Sequence, residues 1–129
     1  MPILLDTTVL IDVLRGGPAA ERVLGLRSTA QVPWVCAVNI EEIWRGLRSG
    51  EEEAAAQLVH ALRLAELGRD EAERAGRWRR EFAAQGMTLS QADCLVAAAA
   101  VGVGARLATG NPKDYPMVEL EVEHWPVGA

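Results

Sequence analysis

The first dozen residues, reading MPILLDTTVLID, constrain the fold of this chain more than any other stretch. A short apolar run, Ile3 to Leu5, ends at Asp6, and apolar residues then recur at a helical spacing from Val9 to Leu14. The run is typical of a buried strand, although its periodicity alone also allows a short helix. The spacing after it is typical of a helix packed on one face. Because open α/β sheets bind ligands at the carboxyl ends of their strands, Asp6 is predicted to lie at a ligand-binding edge.

The composition is that of an ordinary globular protein. A chain of 129 residues can bury a core without disulfides, and its hydrophobic fraction of 50% and charged fraction of 24% are typical. No apolar run is long enough for a membrane span, and no signal-peptide pattern is present. Cys36 and Cys94 lie far apart in apolar segments, as is typical of a reducing compartment. We therefore expect a cytoplasmic protein with one domain over residues 1–129. Its net charge of −5 disfavours a protein that coats nucleic acid by charge alone.

Strand and helix patterns alternate along the rest of the chain. Further strands are predicted at residues 32–38, 105–108 and 118–122. Residues 62–67 could continue the preceding helix, but a strand with its leucines turned inward is favoured. Because alternating strands and helices imply a mostly parallel sheet between helices, the predicted fold is a three-layer α/β/α sandwich with four to five short strands.

Two helix starts carry capping-box patterns. In residues 39–42, Asn39 is predicted to cap a helix that ends near Gly50, with Glu42 reaching back to the cap. In residues 90–93, a second box is predicted to open an almost wholly apolar helix. A helix that is apolar all round is buried, so this second helix is expected in the core.

Four acids are predicted to meet at the carboxyl edge of the sheet. Taken singly, each has an ordinary explanation as a helix cap or a loop carboxylate. Those explanations do not account for their common placement, after strands or at the start of the buried helix. The four are Asp6, Glu42, Asp93 and Asp114, with Glu41 as a neighbouring alternative to Glu42.

Such a cluster predicts a site for a divalent cation. Carboxylates that lie close together repel each other unless a positive charge lies among them. Mg²⁺ and Mn²⁺ both prefer carboxylate and water oxygens, and either ion can orient a water for attack on a phosphodiester. His60 and His124 are distant from every motif, which disfavours zinc.

Four segments resemble, in order, the successive signatures of PIN-domain ribonucleases, and most of all the VapC-type toxins of bacterial toxin–antitoxin pairs. The segments are LLDTTVLID, AVNIEEIWRGL, SQADCLVAAAA and LATGNPKDY. The resemblance runs from Ile3 to about Val122. It implies an endoribonuclease that uses Mg²⁺, or Mn²⁺, to cleave RNA. It also implies a homodimer that is held inactive by a small cognate antitoxin.

The resemblance also implies roles for single residues. Asp6 and Asp93 match the aspartates that hold Mg²⁺, and Glu42 matches the acid that completes the pocket. In the last segment either Asn111 or Asp114 completes the site, and only Asp114 can supply a fourth carboxylate. The residues expected to support these acids are Thr7, Thr109 and Asn111.

The basic residues beside the acidic motifs are candidates for contacts to RNA phosphates. They are Arg15, Arg45, Arg48 and Lys113. A further basic run over residues 74–80 is interleaved with glutamates, and a solvated helix with ion pairs is the favoured interpretation.

Two other functions stay open from the sequence. An aspartate-based phosphatase or phosphoacceptor would use Asp6 as its nucleophile, but the phosphatase pattern needs a second aspartate at position 8, which is Thr. A non-catalytic PIN-like module that binds RNA or protein is the other alternative. The presence of all four acids disfavours such a module.

Overall fold

The structure, a computed structural model, describes residues 1–128, and Ala129, the last residue of the predicted domain, lies outside this range. The strands are β1 (Ile3–Leu5), β2 (Trp34–Cys36), β3 (Arg63–Ala65), β4 (Arg106–Thr109) and β5 (Val122–His124). The helices are α1 (Thr7–Leu14), α2 (Pro18–Ser28), α3 (Ala37–Arg45), α4 (Glu52–His60), α5 (Arg69–Ala84) and α6 (Gln91–Gly102). A short 3-10 helix covers Pro112–Asp114. No helix within residues 1–128 is long and apolar enough to cross a membrane.

The strands form one sheet in the order β3-β2-β1-β4-β5. β1 is the central strand, where Leu4 is aligned with Trp34 of β2 and with Leu107 of β4. Every pairing between the described strands is parallel, so the carboxyl ends of all five lie at one edge. The predicted α/β fold with a mostly parallel sheet of four to five strands is confirmed.

The alternation of side chains along β1 divides the core into two layers. Leu4 packs into a cluster with α5 and α6, which includes Trp78. Ile3 and Leu5 point to the opposite face and pack with α1 to α4 in a cluster that includes Ile43. Helices therefore cover both faces of the sheet, and both layers bury apolar surface on β1.

α6 is the buried helix that its sequence predicts. Cys94 and Val96 are buried, as are the four consecutive alanines, residues 97–100. Small side chains let this helix lie close to both the sheet and α5. The helix ends at Gly102, and Gly104 adopts a φ of 68°, which turns the chain directly into β4.

The structure corrects the predicted start and end of α3. The helix begins at Ala37, directly after β2, so the N-cap is Cys36 and Asn39 is the third helical residue. Asn39 still accepts a hydrogen bond from the backbone N–H of Cys36, at 3.1 Å. An N-cap side chain accepts from the N–H of the third helical residue, whereas the side chain of the third residue accepts from the N–H of the cap. Asn39 fits either role by residue type, which is why the pattern misplaces the helix start. The helix ends at Arg45, before the predicted end near Gly50.

Two strand predictions are also wrong in part. The last strand is Val122–His124 rather than residues 118–122, and Val118 is 95% exposed. Its position is set by pairing with β4, where Leu107 is aligned with Val122, and not by local apolar content. In β3 the exposed fraction of Leu64 is 61% and Ala65 is buried, because β3 is an edge strand whose small residue packs inward.

Candidate active site

All four predicted acids line one cavity of about 380 Å³ at the carboxyl edge of the sheet. Asp6 directly follows β1, and Glu42 lies on α3, the helix after β2. Asp93 lies on α6, and Asp114 lies on the 3-10 helix after β4. The lining residues are Asp6, Thr7, Thr8, Ile11, Glu42, Arg45, Gly46, Asp93, Asn111 and Asp114. The convergence predicted from the sequence is therefore present in the fold.

Asp6 lies at the point where the central strand ends and α1 begins. Its backbone N–H donates to the carbonyl of Ala108, so the β1–β4 ladder extends to this residue. Its carboxylate accepts hydrogen bonds from the backbone N–H of Thr7 at 2.7 Å and from the hydroxyl of Thr109 at 2.8 Å. Asp6 is only 7% exposed, and burial raises its pKa despite these bonds.

Glu42 faces the cavity from α3. The prediction that it closes a capping box is wrong, because Cys36 and Asn39 form that box. Its Oε1 accepts a hydrogen bond from the hydroxyl of Thr7 at 2.6 Å. Thr7 in turn accepts from the side-chain amide of Asn39 at 3.0 Å. Glu41, the alternative to Glu42, is exposed and pairs with Arg45 at 3.4 Å, outside the lining of the cavity.

Asp93 lies in the first turn of α6 and is half-buried. Its backbone N–H donates to the hydroxyl of Ser90 at 3.0 Å, which confirms Ser90 as the helix cap. Burial raises the pKa of Asp93; the side chains of Ser90 and Tyr115 oppose this shift, and the negative charges of Asp114 and Glu42 add to it. The cavity therefore holds negative charge that the protein compensates only in part.

The hydroxyl of Tyr115 donates to Oδ1 of Asp93 at 3.3 Å. Tyr115 is buried, and burial together with the nearby charges of Asp6 and Asp93 raises its pKa far above the ordinary value. The phenol is therefore a neutral donor to the acids. Tyr115 is the last residue of the segment LATGNPKDY, but the sequence gives no signal that its hydroxyl is used.

The loop after β4 brings two further candidates to the cavity. Asn111 and Asp114 both line it, so both residues left open by the sequence lie at the site. The loop is held by Thr8, whose hydroxyl accepts from the backbone N–H of Gly110 at 3.0 Å. A β-carbon at position 110 would lie 3.0 Å from Val127, so this close approach favours glycine.

The predicted phosphate-binding residues lie in different places. Arg45 lines the acid cavity, where its side chain is mostly exposed. Arg15 and Arg48 line an adjoining cleft of about 870 Å³. The two cavities share Thr8 and Ile11, so they are continuous along α1.

These arginines are also engaged with acids of the protein. Arg15 pairs with Glu51 at 3.2 Å, and the backbone N–H of Arg48 donates to the same carboxylate at 2.7 Å. Lys113 is exposed on the 3-10 helix and does not line either cavity. Phosphate binding by these residues stays a prediction.

The donor set of the acid cavity fits a hard divalent cation. Its ligating groups are carboxylates, hydroxyls and an amide, and neither His60 nor His124 lines it. Among residues 1–128, no three His, Cys, Asp or Glu side chains form a ready-made metal cage. Mg²⁺ does not need such a cage, because it is commonly held by one or two carboxylates together with waters and substrate phosphates.

The sequence profile of the PIN domain matches residues 3–115 of this chain. The chain belongs to the PIN-domain family. A curated relative is ribonuclease VapC19 of Mycobacterium tuberculosis, known from two strains, which is 31% identical over 115 residues, or 88% of this chain and 92% of VapC19. The family resemblance predicted from the four segments is confirmed.

Solved structures show the same PIN fold. A chain of the VapBC2 complex of Rickettsia felis, bound to a promoter DNA fragment, matches with a TM-score of 0.81 at 20% identity, over 97% of this chain and 99% of that one. A toxin–antitoxin complex from Klebsiella pneumoniae matches with a TM-score of 0.72 at 22% identity, over 92% of each chain. At such identities the likeness is one of fold.

Proposed function

We propose that this PIN domain is a metal-dependent endoribonuclease and the toxin of a toxin–antitoxin pair. The observation that carries the proposal is the meeting of four carboxylates in one cavity of about 380 Å³ in a chain of this family. The relative VapC19 is a ribonuclease and covers 88% of this chain, which supports RNA as the substrate.

In this proposal Asp6 and Asp93 hold the cation, which is Mg²⁺ or, with similar oxygen ligands, Mn²⁺. Glu42 and Asp114 complete the pocket, partly through water. When bound, the cation would orient a water for in-line attack on a phosphodiester and neutralise charge that develops on the phosphate. Burial raises the pKa of both Asp6 and Asp93, so a cation that pairs with them offsets the cost of keeping them ionised.

The protein's own residues orient the acids. The backbone N–H of Thr7 and the hydroxyl of Thr109 each donate to one oxygen of the Asp6 carboxylate. These two bonds fix the orientation of the carboxylate in the cavity. The hydroxyl of Thr7 also holds one oxygen of Glu42 at 2.6 Å. Pre-organised acceptors of this kind cost little reorganisation when a cation and a phosphate arrive.

RNA is proposed to lie along α1, across both cavities. The scissile phosphate would occupy the acid cavity, next to Arg45. The adjoining cleft, lined by Arg15 and Arg48, would take the neighbouring phosphates. Arginine matches phosphate geometry because its planar guanidinium donates two parallel hydrogen bonds.

The partner proposed for this chain is a small antitoxin protein. The Rickettsia felis neighbour is part of a VapBC complex and the Klebsiella pneumoniae neighbour is part of a toxin–antitoxin complex, which supports the same kind of partner here. The expected homodimer stays a prediction. A cytoplasmic location is part of the proposal and is supported by two free, buried cysteines, Cys36 and Cys94.

The proposal is tested with purified protein that has been freed of any partner. Total RNA is incubated with Mg²⁺, with Mn²⁺ or with chelator, beside the variants Asp93→Asn and Asp70→Asn. Asp70 is an exposed acid at the start of α5, so Asp70→Asn controls for the same chemical change away from the site.

Discrete fragments that require metal, disappear with Asp93→Asn and persist with Asp70→Asn are the expected result. Intact RNA with folded, metal-binding wild-type protein would favour a binding module in place of a nuclease. Cleavage that survives Asp93→Asn would mean that the assigned site is wrong or that the preparation contains another nuclease.

A further inference from the structure

We infer that Asn39 is a positioning residue that fixes Glu42 in the acid cavity through the hydroxyl of Thr7. The inference rests on the proposed function, because it gives Asn39 a role in the site that Glu42 completes. Three hydrogen bonds carry it: Cys36 N–H to Asn39 Oδ1 at 3.1 Å, Asn39 Nδ2 to Thr7 Oγ1 at 3.0 Å, and Thr7 Oγ1 to Glu42 Oε1 at 2.6 Å.

The donor and the acceptor of each of these three hydrogen bonds follow from the chemistry of the groups. A backbone N–H can only donate, so the side-chain atom of Asn39 that faces Cys36 must be the carbonyl oxygen. The amide nitrogen therefore faces Thr7, and it too can only donate. The oxygen of Thr7 accepts that bond, and its single proton is left for the carboxylate of Glu42.

The surroundings make this arrangement rigid. Asn39 is 0% exposed, so water does not compete for its amide. A buried amide that lost its partner would carry the full cost of desolvation, which keeps the bond to Thr7 formed. The bond from Thr7 to Glu42 is short, as is typical of a hydroxyl that donates to an ionised carboxylate.

The same chain of bonds joins the two strand ends that form the cavity. Asn39 lies one turn before Glu42 on α3, after β2, and Thr7 is the first residue of α1, after β1. The backbone N–H of Thr7 also donates to Asp6 at 2.7 Å. Thr7 therefore contacts both acids, and Asn39 sets the direction in which its proton points.

Asn39→Asp separates the two tasks of this side chain. A carboxylate at position 39 can still accept from the N–H of Cys36, but it cannot donate to Thr7 and competes with Glu42 for the Thr7 proton. Because a charge at a fully buried position can impair folding, Asn39→Ala is a second variant that also removes the donor. Thermal unfolding reports whether each variant is folded.

The test is a double-mutant cycle of Asn39→Asp, or Asn39→Ala, with Thr7→Val. Cleavage of a defined RNA gives kcat and KM, and calorimetry with Mn²⁺ alone gives metal affinity without RNA. Thr7→Ser keeps the hydroxyl and should recover much of the loss caused by Thr7→Val. Thr29→Val makes the same change as Thr7→Val at an exposed hydroxyl after α2 that donates to the carbonyl of Leu26.

Asn39→Asp, Asn39→Ala and Thr7→Val are each expected to lower kcat or Mn²⁺ affinity by about tenfold to a hundredfold, as is common when a residue that supports a metal ligand is lost. KM should stay within about twofold of wild type, because the RNA contacts are unchanged. In the Thr7→Val background the change at Asn39 should have almost no further effect, since both residues act through one bond to Glu42.

The inference would be overturned if the Asn39→Asp and Asn39→Ala proteins cleave RNA and bind Mn²⁺ as well as the wild type does. Losses that simply add in the double variant would also overturn it, because Asn39 would then act independently of Thr7. Wild-type protein that binds Mn²⁺ with the expected coupling but leaves RNA intact would overturn the nuclease proposal alone. Wild-type protein that does neither would overturn both.

Discussion

Asp6 and Glu42, the fixed half of the acid cavity, are held more firmly than Asp93 and Asp114, which form its open half. Asp6 accepts hydrogen bonds at 2.7 Å and 2.8 Å, and Glu42 accepts one at 2.6 Å. These donors come from the ends of strands or from the first residue of a helix, where the backbone is rigid. The fixed half is therefore shaped before any ligand arrives.

The open half has fewer constraints. Asp93 accepts a single side-chain hydrogen bond within residues 1–128, from Tyr115 at 3.3 Å. Asp114 lies on the short 3-10 helix, and none of the side-chain hydrogen bonds found in the described part of the chain ends on its carboxylate. Fewer hydrogen bonds therefore fix the carboxylates of these two acids.

This difference has a physical purpose in the proposed site. A cation held by few protein ligands completes its coordination with water and substrate phosphate, which change during a reaction. A fixed half sets where the cation lies, and an open half accommodates changes in its remaining ligands. Apart from the two proposed cation ligands, one in each half, the comparison predicts smaller effects for changes in the open half than for changes in the fixed half.

The largest expected effect follows removal of one charge from either proposed cation ligand. Asp6→Asn and Asp93→Asn should each lower kcat by about three orders of magnitude, roughly 4 kcal/mol, because the cation loses a ligand and stabilises charge less well. Single-turnover cleavage of a defined RNA measures this. Asp70→Asn should behave as wild type, and an active, folded Asp6→Asn or Asp93→Asn protein would contradict the site assignment.

The next effect is on stability. A cation that binds only the folded chain should stabilise it by about 2.7 kcal/mol at a concentration 100 times its Kd. Urea unfolding with and without Mn²⁺ measures the change in the free energy of unfolding. Asp6→Asn should abolish the stabilisation, whereas Asp114→Asn, in the open half, should only reduce it. Equal stabilisation of wild type and Asp6→Asn would show that the ion binds elsewhere.

A smaller effect concerns pH in the absence of metal. Because burial raises the pKa of Asp6 above its ordinary 3.8, the folded chain binds this proton more tightly than the unfolded chain. The contribution of this group to stability is fully present below pH 3.8 and is lost as pH rises through the raised pKa of the folded state. Between about pH 4 and about pH 7, wild type should therefore lose more stability than Asp6→Asn.

Urea unfolding in chelator at several pH values checks this expectation. Asp70→Asn should follow the pH dependence of wild type. An Asp6→Asn protein whose stability falls as steeply as that of wild type would mean that burial of Asp6 does not control its proton affinity.

The smallest expected effect is that of Tyr115→Phe. The change keeps the buried ring and removes the hydroxyl that donates to Asp93 at 3.3 Å, so the loss is that of one long hydrogen bond, about 0.5 to 1.5 kcal/mol. We expect kcat to fall between about twofold and about tenfold, with little change in melting temperature. A loss as large as that of Asp93→Asn would show that the open half is as tightly organised as the fixed half.

Much of this site could be predicted because its signals are local. A short apolar run followed by an acid and a helix places Asp6 at the sheet edge, and parallel strands bring the other acids to the same edge. Asp93 follows a clear helix cap, Ser90, and opens a helix of alanines whose burial needs no distant partner. These features depend on residues a few positions apart.

The features that sequence analysis misses depend on distant contacts. Asn39 fits a capping box by residue type either as the cap or as the third helical residue, so only the neighbouring helix reveals its bond to Thr7. Arg15 pairs with Glu51, which lies 36 positions away. β5 is located by its ladder with β4 and not by its own apolar residues.

The most direct test of the central claim joins metal binding to cleavage. Cleavage of a defined RNA is measured against Mn²⁺ concentration, and the Kd of Mn²⁺ is measured by calorimetry on the same protein without RNA. The account predicts that the concentration for half-maximal cleavage follows this Kd, that Asp114→Asn shifts both in parallel, and that chelator abolishes cleavage. Cleavage that persists in chelator, or that is independent of the measured Kd, would contradict it.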